Sequence, residues 1–196
     1  KLSIACLKGL NYYQRTPLAK SIRELSLICS KNFNSNKYHD QHHFKAVLLL
    51  ASVFAKVSKL KKIDSLLIVI LSLTHDMSHQ GRRIIKKPYY QEKKTIKHLE
   101  KIIFKKILNQ QTWNRIKRIL LNTYFPVIPE KSSDIVEKII LNADLASSIL
   151  FGEKNGLILT RRLKNEINFK DKSINLYSKF IGNLDKRDLS LIKNNL

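Results

Sequence analysis

Glycine and proline are scarce in this chain, with five Gly and four Pro among 196 residues. Sandwiches and barrels turn roughly every 8–12 residues and draw on those two residue types to do it. So little turn chemistry leaves an all-α chain, a compact helical bundle with a few loops, as the economical class. With 43% hydrophobic residues there is enough apolar side chain for one real core. No fixed-period repeat and no Gly/Ser linker divides the sequence, so residues 1–196 read as a single domain. Its motif-bearing core covers about residues 36–150, and residues 151–196 form a helical tail.

Apolar periodicity places the helices. Pro17 opens a helix over 18–29 with Leu18, Ile22, Leu25 and Ile28 on one face. Residues 32–36 are a polar break. A helix over 39–59 follows, with Phe44, Val47, Leu48, Ala51, Phe54 and Ala55 on a broad apolar side. Asp64 and Ser65 offer an N-cap to the next helix, which is apolar almost all round from Leu66 to Leu73 and is therefore expected at the centre of the bundle. Beyond Gly81, residues 82–90 read as a basic loop broken by Pro88. Helices are expected over 95–108 and 112–121, then a loop at Pro126 and Pro129. A helix over 134–151 capped by Ser132, Ser133 or Asp134 comes next, and two more lie over 157–167 and 172–184.

The formal net charge is +22, from 37 Lys+Arg against 15 Asp+Glu, with a pI near 10.1. Such a field attracts nucleic acid, an anionic membrane or small phosphorylated substrates, and by itself does not choose among them. The lysines are spread along the whole chain and no basic–aromatic RNA-binding string interrupts them, so no sequence-specific nucleic-acid partner is expected. Cys6 and Cys29 have no CxxC spacing and read as reduced core thiols, which suits a cytoplasmic setting. The apolar runs at 47–55 and 66–73 fall far short of the ~20 residues of a membrane span. Any targeting region would lie outside these residues.

Five of the six histidines fall in two tight groups: His39, His42 and His43 in Tyr38-His39-Asp40-Gln41-His42-His43, and His75 and His79 in His75-Asp76-Met77-Ser78-His79-Gln80-Gly81. Spacing of i, i+4 puts His39 with His43, and His75 with His79, on shared helix faces. His75 and Asp76 directly follow the most apolar helix, where an ionisable pair is costly to bury without a partner. A metal ion is such a partner. Imidazole and carboxylate ligands suit Zn, Mn, Fe or Mg, and without a cysteine cluster the site is catalytic or octahedral rather than a zinc finger. Asp144 in Ala143-Asp144-Leu145 is a further acid in an apolar run.

Tyr38-His39 with His43, then His75-Asp76-x-x-His79-x-Gly81, then Leu99-Glu100, then Ala143-Asp144-Leu145 resembles, in order and approximate spacing, the HD superfamily of metal-dependent phosphohydrolases. Within it the pattern is most similar to the class I cyclic-nucleotide phosphodiesterases. The resemblance implies two divalent metal ions, with His43, His75, Asp76 and Asp144 as ligands of the first and Asp76 bridging to the second. It implies that His79 and Glu100 orient water on the second metal, and that His39 is the general acid. The substrate implied is small and phosphorylated, a 3′,5′-cyclic nucleotide hydrolysed to its 5′-monophosphate. Tyr38, Tyr177 and Phe180 are the expected substrate contacts, Phe180 as a base clamp with Tyr177 where the family uses Gln. A Tyr hydroxyl cannot present the paired donor and acceptor of an amide, which weakens classical purine readout. Two further departures are Asp40 in place of Asn and Arg82-Arg83 soon after Gly81. Two other readings stand beside this one: an HD-type nucleotide or (p)ppGpp-like phosphohydrolase, and a basic nucleic-acid-binding protein with a relict site. Oligomeric state and metal identity are not legible.

Overall fold

The computed structural model describes residues 1–11, 17–32, 36–81, 87–104, 109–124, 133–169, 171 and 173–186. Among the described residues are nine α-helices and no strand: α1 Leu2–Gly9, α2 Pro17–Asn32, α3 Gln41–Val57, α4 Lys62–Thr74, α5 Tyr90–Leu99, α6 Gln110–Asn122, α7 Ile135–Ala146, α8 Glu153–Glu166 and α9 Leu176–Lys186. A π-helical turn, Glu100–Phe104, continues α5. The all-α expectation is met.

Helix α4 lies at the centre, as its sequence requires. Every residue from Ser65 to Thr74 is buried, and α1, α2, α3, α6 and α7 all pack against it. Helix α3 packs most extensively on α4 and α7. Its inner stripe of Phe44, Val47, Leu48, Ala51 and Ala55 meets Leu66 to Leu71 of α4 and Val136, Ile139, Ile140 and Ala143 of α7 in one core. These three helices carry the site. Among the described residues no helix is long and apolar enough to cross a membrane. Cys6 and Cys29 are both free and buried. The Cys29 thiol, donating to the Leu73 carbonyl oxygen at 3.0 Å, is pushed up to about 12 by burial.

The helix ends differ from expectation in ways that matter for the site. Helix α3 begins at Gln41 rather than His39, because Asp40 accepts from the backbone N–H groups of His42 (2.9 Å) and His43 (3.1 Å) and caps the helix. His39 therefore lies in the turn before the helix and does not share its face with His43. Helix α4 ends at Thr74, so His75 and His79 belong to the turn after it. Asp64 and Ser65 are inside α4, whose cap position is Lys61. Helices α5, α6 and α8 start earlier than their apolar patterns suggest, α9 later, and α7 stops at Ala146. Arg82, Arg83, Pro126 and Pro129 lie outside the described residues.

Candidate metal centre

Four of the expected ligands meet. His43 comes from the first turn of α3, His75 and Asp76 from the turn after α4, and Asp144 from α7. One ligand atom from each lies within 4.8 Å of all the others. His43 Nε2 and His75 Nε2 are 3.3 Å apart. Asp76 Oδ2 stands 3.1 Å from His75 Nε2 and 3.5 Å from His43 Nε2, and Asp144 Oδ1 is 3.3 Å and 3.7 Å from His43 and His75.

Neighbouring hydrogen bonds fix which nitrogen each imidazole offers. His75 Nδ1–H donates to the Ser72 carbonyl at 3.1 Å, which leaves Nε2 to ligate. Ser147 spends its hydroxyl proton on the Asp144 carbonyl at 2.6 Å, so at 3.2 Å it accepts from His43 Nδ1–H. His43 likewise offers Nε2. Two imidazole lone pairs and two carboxylates aimed at one point call for a cation, and these donors fit a divalent one. The charges respond accordingly. Burial would lower the pKa of His43, but its hydrogen bonds and charge interactions with Asp144 and Asp76 outweigh burial and hold it up at about 9. Burial would raise Asp76 and Asp144, but the imidazoles beside them, His75 and His39 for Asp76 and His43 and His75 for Asp144, bring both below the usual carboxylate range.

A second group adjoins the first: His39, His79 and Glu166, whose ligand atoms are also within 4.8 Å of one another. Its geometry favours a proton over an ion. The His39 and His79 rings are stacked, with centroids 3.7 Å apart and planes tilted by 29°. Imidazole lone pairs lie in the ring plane, so rings stacked this closely direct them side by side rather than onto one ion at the ~2 Å a metal requires. Glu166 accepts from His39 Nδ1, from the His39 backbone N–H at 3.1 Å and from the Tyr38 backbone N–H at 2.5 Å. Burial opposes its charge, yet the hydrogen bond and charge of His39 keep it ionised, at about 2. His39 Nε2 is left facing Asp76 Oδ2 at 3.5 Å. His79 accepts the Gly81 N–H on Nδ1 at 3.1 Å, so it cannot donate from that atom to Glu166. Burial, then the charge of His39, lowers it to about 4 and keeps it neutral.

Gly81 makes this turn close. Its φ is +64°, and a Cβ there would meet Asn36 Oδ1 at 2.6 Å. Asn36 donates to the His79 carbonyl at 3.2 Å, fastening the turn that carries both His75 and His79 to the segment that leads into Tyr38.

A cavity opens on both groups. Its lining includes His39, Asp76, His79, Asp144, Glu92 and Tyr124, with Leu163 and Phe180 among its apolar residues. Phe180 thus lines the cavity. Tyr177 is not among the lining residues. Its ring packs on α8 at Gly156, where a Cβ would come within 2.2 Å of it, in a small core with Ile149 and Phe180. Tyr38 lines the cavity, but its hydroxyl is hydrogen-bonded to Ser148 and its ring packs on His39 and His43 at 4.8 and 4.9 Å. It holds the two histidines in place.

Glu100, like Tyr177, is not brought to the site. Leu99 is fully buried, and the next residue, on the π-helical turn, is exposed and lies outside the cavity lining. The acids found there instead are Glu166 and Glu92. Glu92 has a buried Oε2 without a hydrogen-bond partner, and burial, then the charge of Asp76, raises it to about 7. Glu92 was detectable as an acid in phase with a buried stripe, with Thr95 and Leu99 on α5, whereas Glu166 lies off the line of Gly156 and Thr160 on α8 and carries no such signal.

No family model, curated protein or solved structure matches this chain.

Proposed function

We propose that this chain is a metal-dependent phosphodiesterase that hydrolyses a 3′,5′-cyclic nucleotide to its 5′-monophosphate. One observation carries the reading: four His/Asp ligand atoms converge beside a cavity that Asp76 and Asp144 line, with a carboxylate-backed histidine next to them. His43, His75, Asp76 and Asp144 are the residues that would hold a divalent metal ion. Divalent cations held there would supply hydroxide from water near neutral pH and neutralise the phosphodiester oxygens.

The rest is done by the protein's own groups. Glu166 accepts the His39 Nδ1–H and so orients the ring with Nε2 toward the cavity. From there His39 would give a proton to the leaving alkoxide. Neutral His79, stacked on His39, keeps a proton on Nε2 for a hydrogen bond to water or phosphate. The wall of Leu163 and Phe180 gives an apolar face to a base and keeps water from the reacting end.

The decisive experiment is a hydrolysis screen with Mn, Mg, Zn or Fe(II) added, across cyclic nucleotides, cyclic dinucleotides, (p)ppGpp and nucleoside monophosphates. Turnover of a cyclic mononucleotide with release of the 5′-monophosphate is the expected result. Turnover confined to (p)ppGpp or monophosphates would move the substrate class. No turnover, together with tight sequence-selective oligonucleotide binding, would overturn the enzyme reading.

A further inference from the structure

The charge of +22 plays no part in the chemistry above, and neither does the outer face of α3. That face has an unusual composition for a surface helix. Leu49, Val53 and Val57, at i, i+4 and i+8, are 47%, 48% and 42% exposed, so they form one apolar stripe two turns long. Exposed lysines, Lys45 and Lys56, flank it, and Lys59 and Lys61 follow in the turn that leads to α4. Helix α3 contains no acidic residue at all, and none of these four lysines is in an ion pair among the described residues. Just past the turn, Ile63 adds another side chain that is 41% exposed. The end of the stripe adjoins a recess lined by Lys56, Lys59, Asn11 and Ser65, and Ser65 is itself buried.

A surface that is at once apolar and purely cationic selects its occupant. A second copy of the chain would bring another strongly positive surface against it and be repelled. Nucleic acid would satisfy the lysines, but Leu and Val side chains have no π face for a base and no hydrogen bond for its edge. An anionic lipid surface offers both halves: acidic headgroups for lysines and an acyl boundary for the stripe. We infer that the outer face of α3 docks on anionic membrane, with the stripe at the headgroup–acyl boundary, the lysines among the headgroups, and the recess at Lys56 and Lys59 taking a headgroup phosphate. Stripe and lysines together are the pair of weak signals that reversible anchoring needs. Such docking is peripheral, and it is independent of the proposed chemistry.

The test is co-sedimentation of the full chain with phosphatidylcholine vesicles, with and without 30% (about one lipid in three) phosphatidylserine. Binding to the anionic vesicles alone is expected. It should fall by roughly tenfold or more in Lys56→Glu/Lys59→Glu, and to the level seen on neutral vesicles in Leu49→Asp/Val53→Asp. Circular dichroism and thermal melts check that the variants fold, and Leu49→Ser/Val53→Ser stands in if the acidic pair does not. Duplex DNA binding unchanged by the stripe substitutions agrees with the inference. Equal binding to neutral and anionic vesicles, undiminished binding by the stripe variant, DNA binding lost with the stripe, or a dimer in light scattering that the stripe variant dissociates would each overturn it.

Discussion

Two clusters of ionisable side chains sit on the same helices and solve opposite problems. At one end of α4 and α7, His43, His75, Asp76 and Asp144 aim ligand atoms at a common point beside a cavity. Toward the other end of both helices, Arg115 and Arg118 of α6 bind Asp64, Asp134 and Glu137. Arg115 reaches Asp134 through Nε (2.8 Å) and Nη2 (2.7 Å), and Asp64 through Nη1 at 2.5 Å. Arg118 bonds Glu137 at 2.6 Å and Asp134 at 2.5 Å, and Asn122 completes Glu137 at 2.7 Å. In this second cluster the protein supplies its own cations, in a planar fork that uses up the carboxylate lone pairs. The first has acids and, among the described residues, no Arg or Lys in an ion pair with them. A buried acid tied to guanidinium holds helices together, whereas a buried acid surrounded by imidazole nitrogens is arranged for a cation from outside.

The largest effect expected from this contrast is at Asp76. Asp76→Ala should abolish turnover and metal uptake together, and the metal-induced rise in melting temperature with them, a stabilisation of about 2.7 kcal/mol at a hundredfold excess over Kd. Asp134→Ala should leave metal content unchanged; loss of metal there would merge the two clusters into one unit.

His39→Ala should retain metal and lower kcat by about 10²–10⁴, the usual worth of a general acid. Metal analysis beside the rate decides it. Loss of the ion as complete as in Asp76→Ala would make His39 a ligand.

In the other cluster, Arg118→Ala leaves the fully buried Glu137 with Asn122 as its remaining side-chain partner among the described residues. A loss of about 3 kcal/mol in urea unfolding is expected, with metal affinity unaffected. Glu166→Gln keeps an acceptor beside His39 but removes the charge, so kcat should fall by about 10- to 100-fold with metal still bound. A full loss of metal would move Glu166 into the ligand set.

The smallest effect is a pH slope. Burial would raise Asp134, but hydrogen bonds and the charge of Arg115 lower it from 3.8 to about 2. Its folded pKa is below its unfolded one, so its contribution is complete above about pH 4 and is lost as pH falls toward 2. Urea midpoints between pH 5 and pH 2 should decline less steeply in Arg115→Ala than in the parent.

Much of the bundle was legible because apolar period alone dictates it: the all-round apolar run of α4 predicts a central helix, and α4 is central. The ligand set was legible for a related reason, since His75, Asp76 and Asp144 are polar residues where the pattern demands apolar ones. What misled was the assumption that helical spacing extends through the motifs. Asp40 stops α3 short of His39, and α4 ends before His75, so each i, i+4 pair is split between the two groups. Glu100 was misplaced because Leu-Glu is a two-residue signal with no phase, whereas phase puts Glu92 inside; Glu166 is brought in by its bonds to Tyr38 and His39, far off in the chain. Tyr177 could not be placed from sequence, since its partner Gly156 is on another helix.

The tie between Glu166 and His39 spans 127 residues, whereas the metal ligands all fall between residues 43 and 144. Closing the longer loop costs more entropy and depends on α8 having docked. On the proposed reading, capacity to hold an ion and capacity to deliver a proton would be acquired at different moments in the life of the chain. A polypeptide ended after α7 would contain all four candidate ligands while the proposed acid swung without a tether, so that the same protein, cut at one place, would separate a metal store from a catalyst.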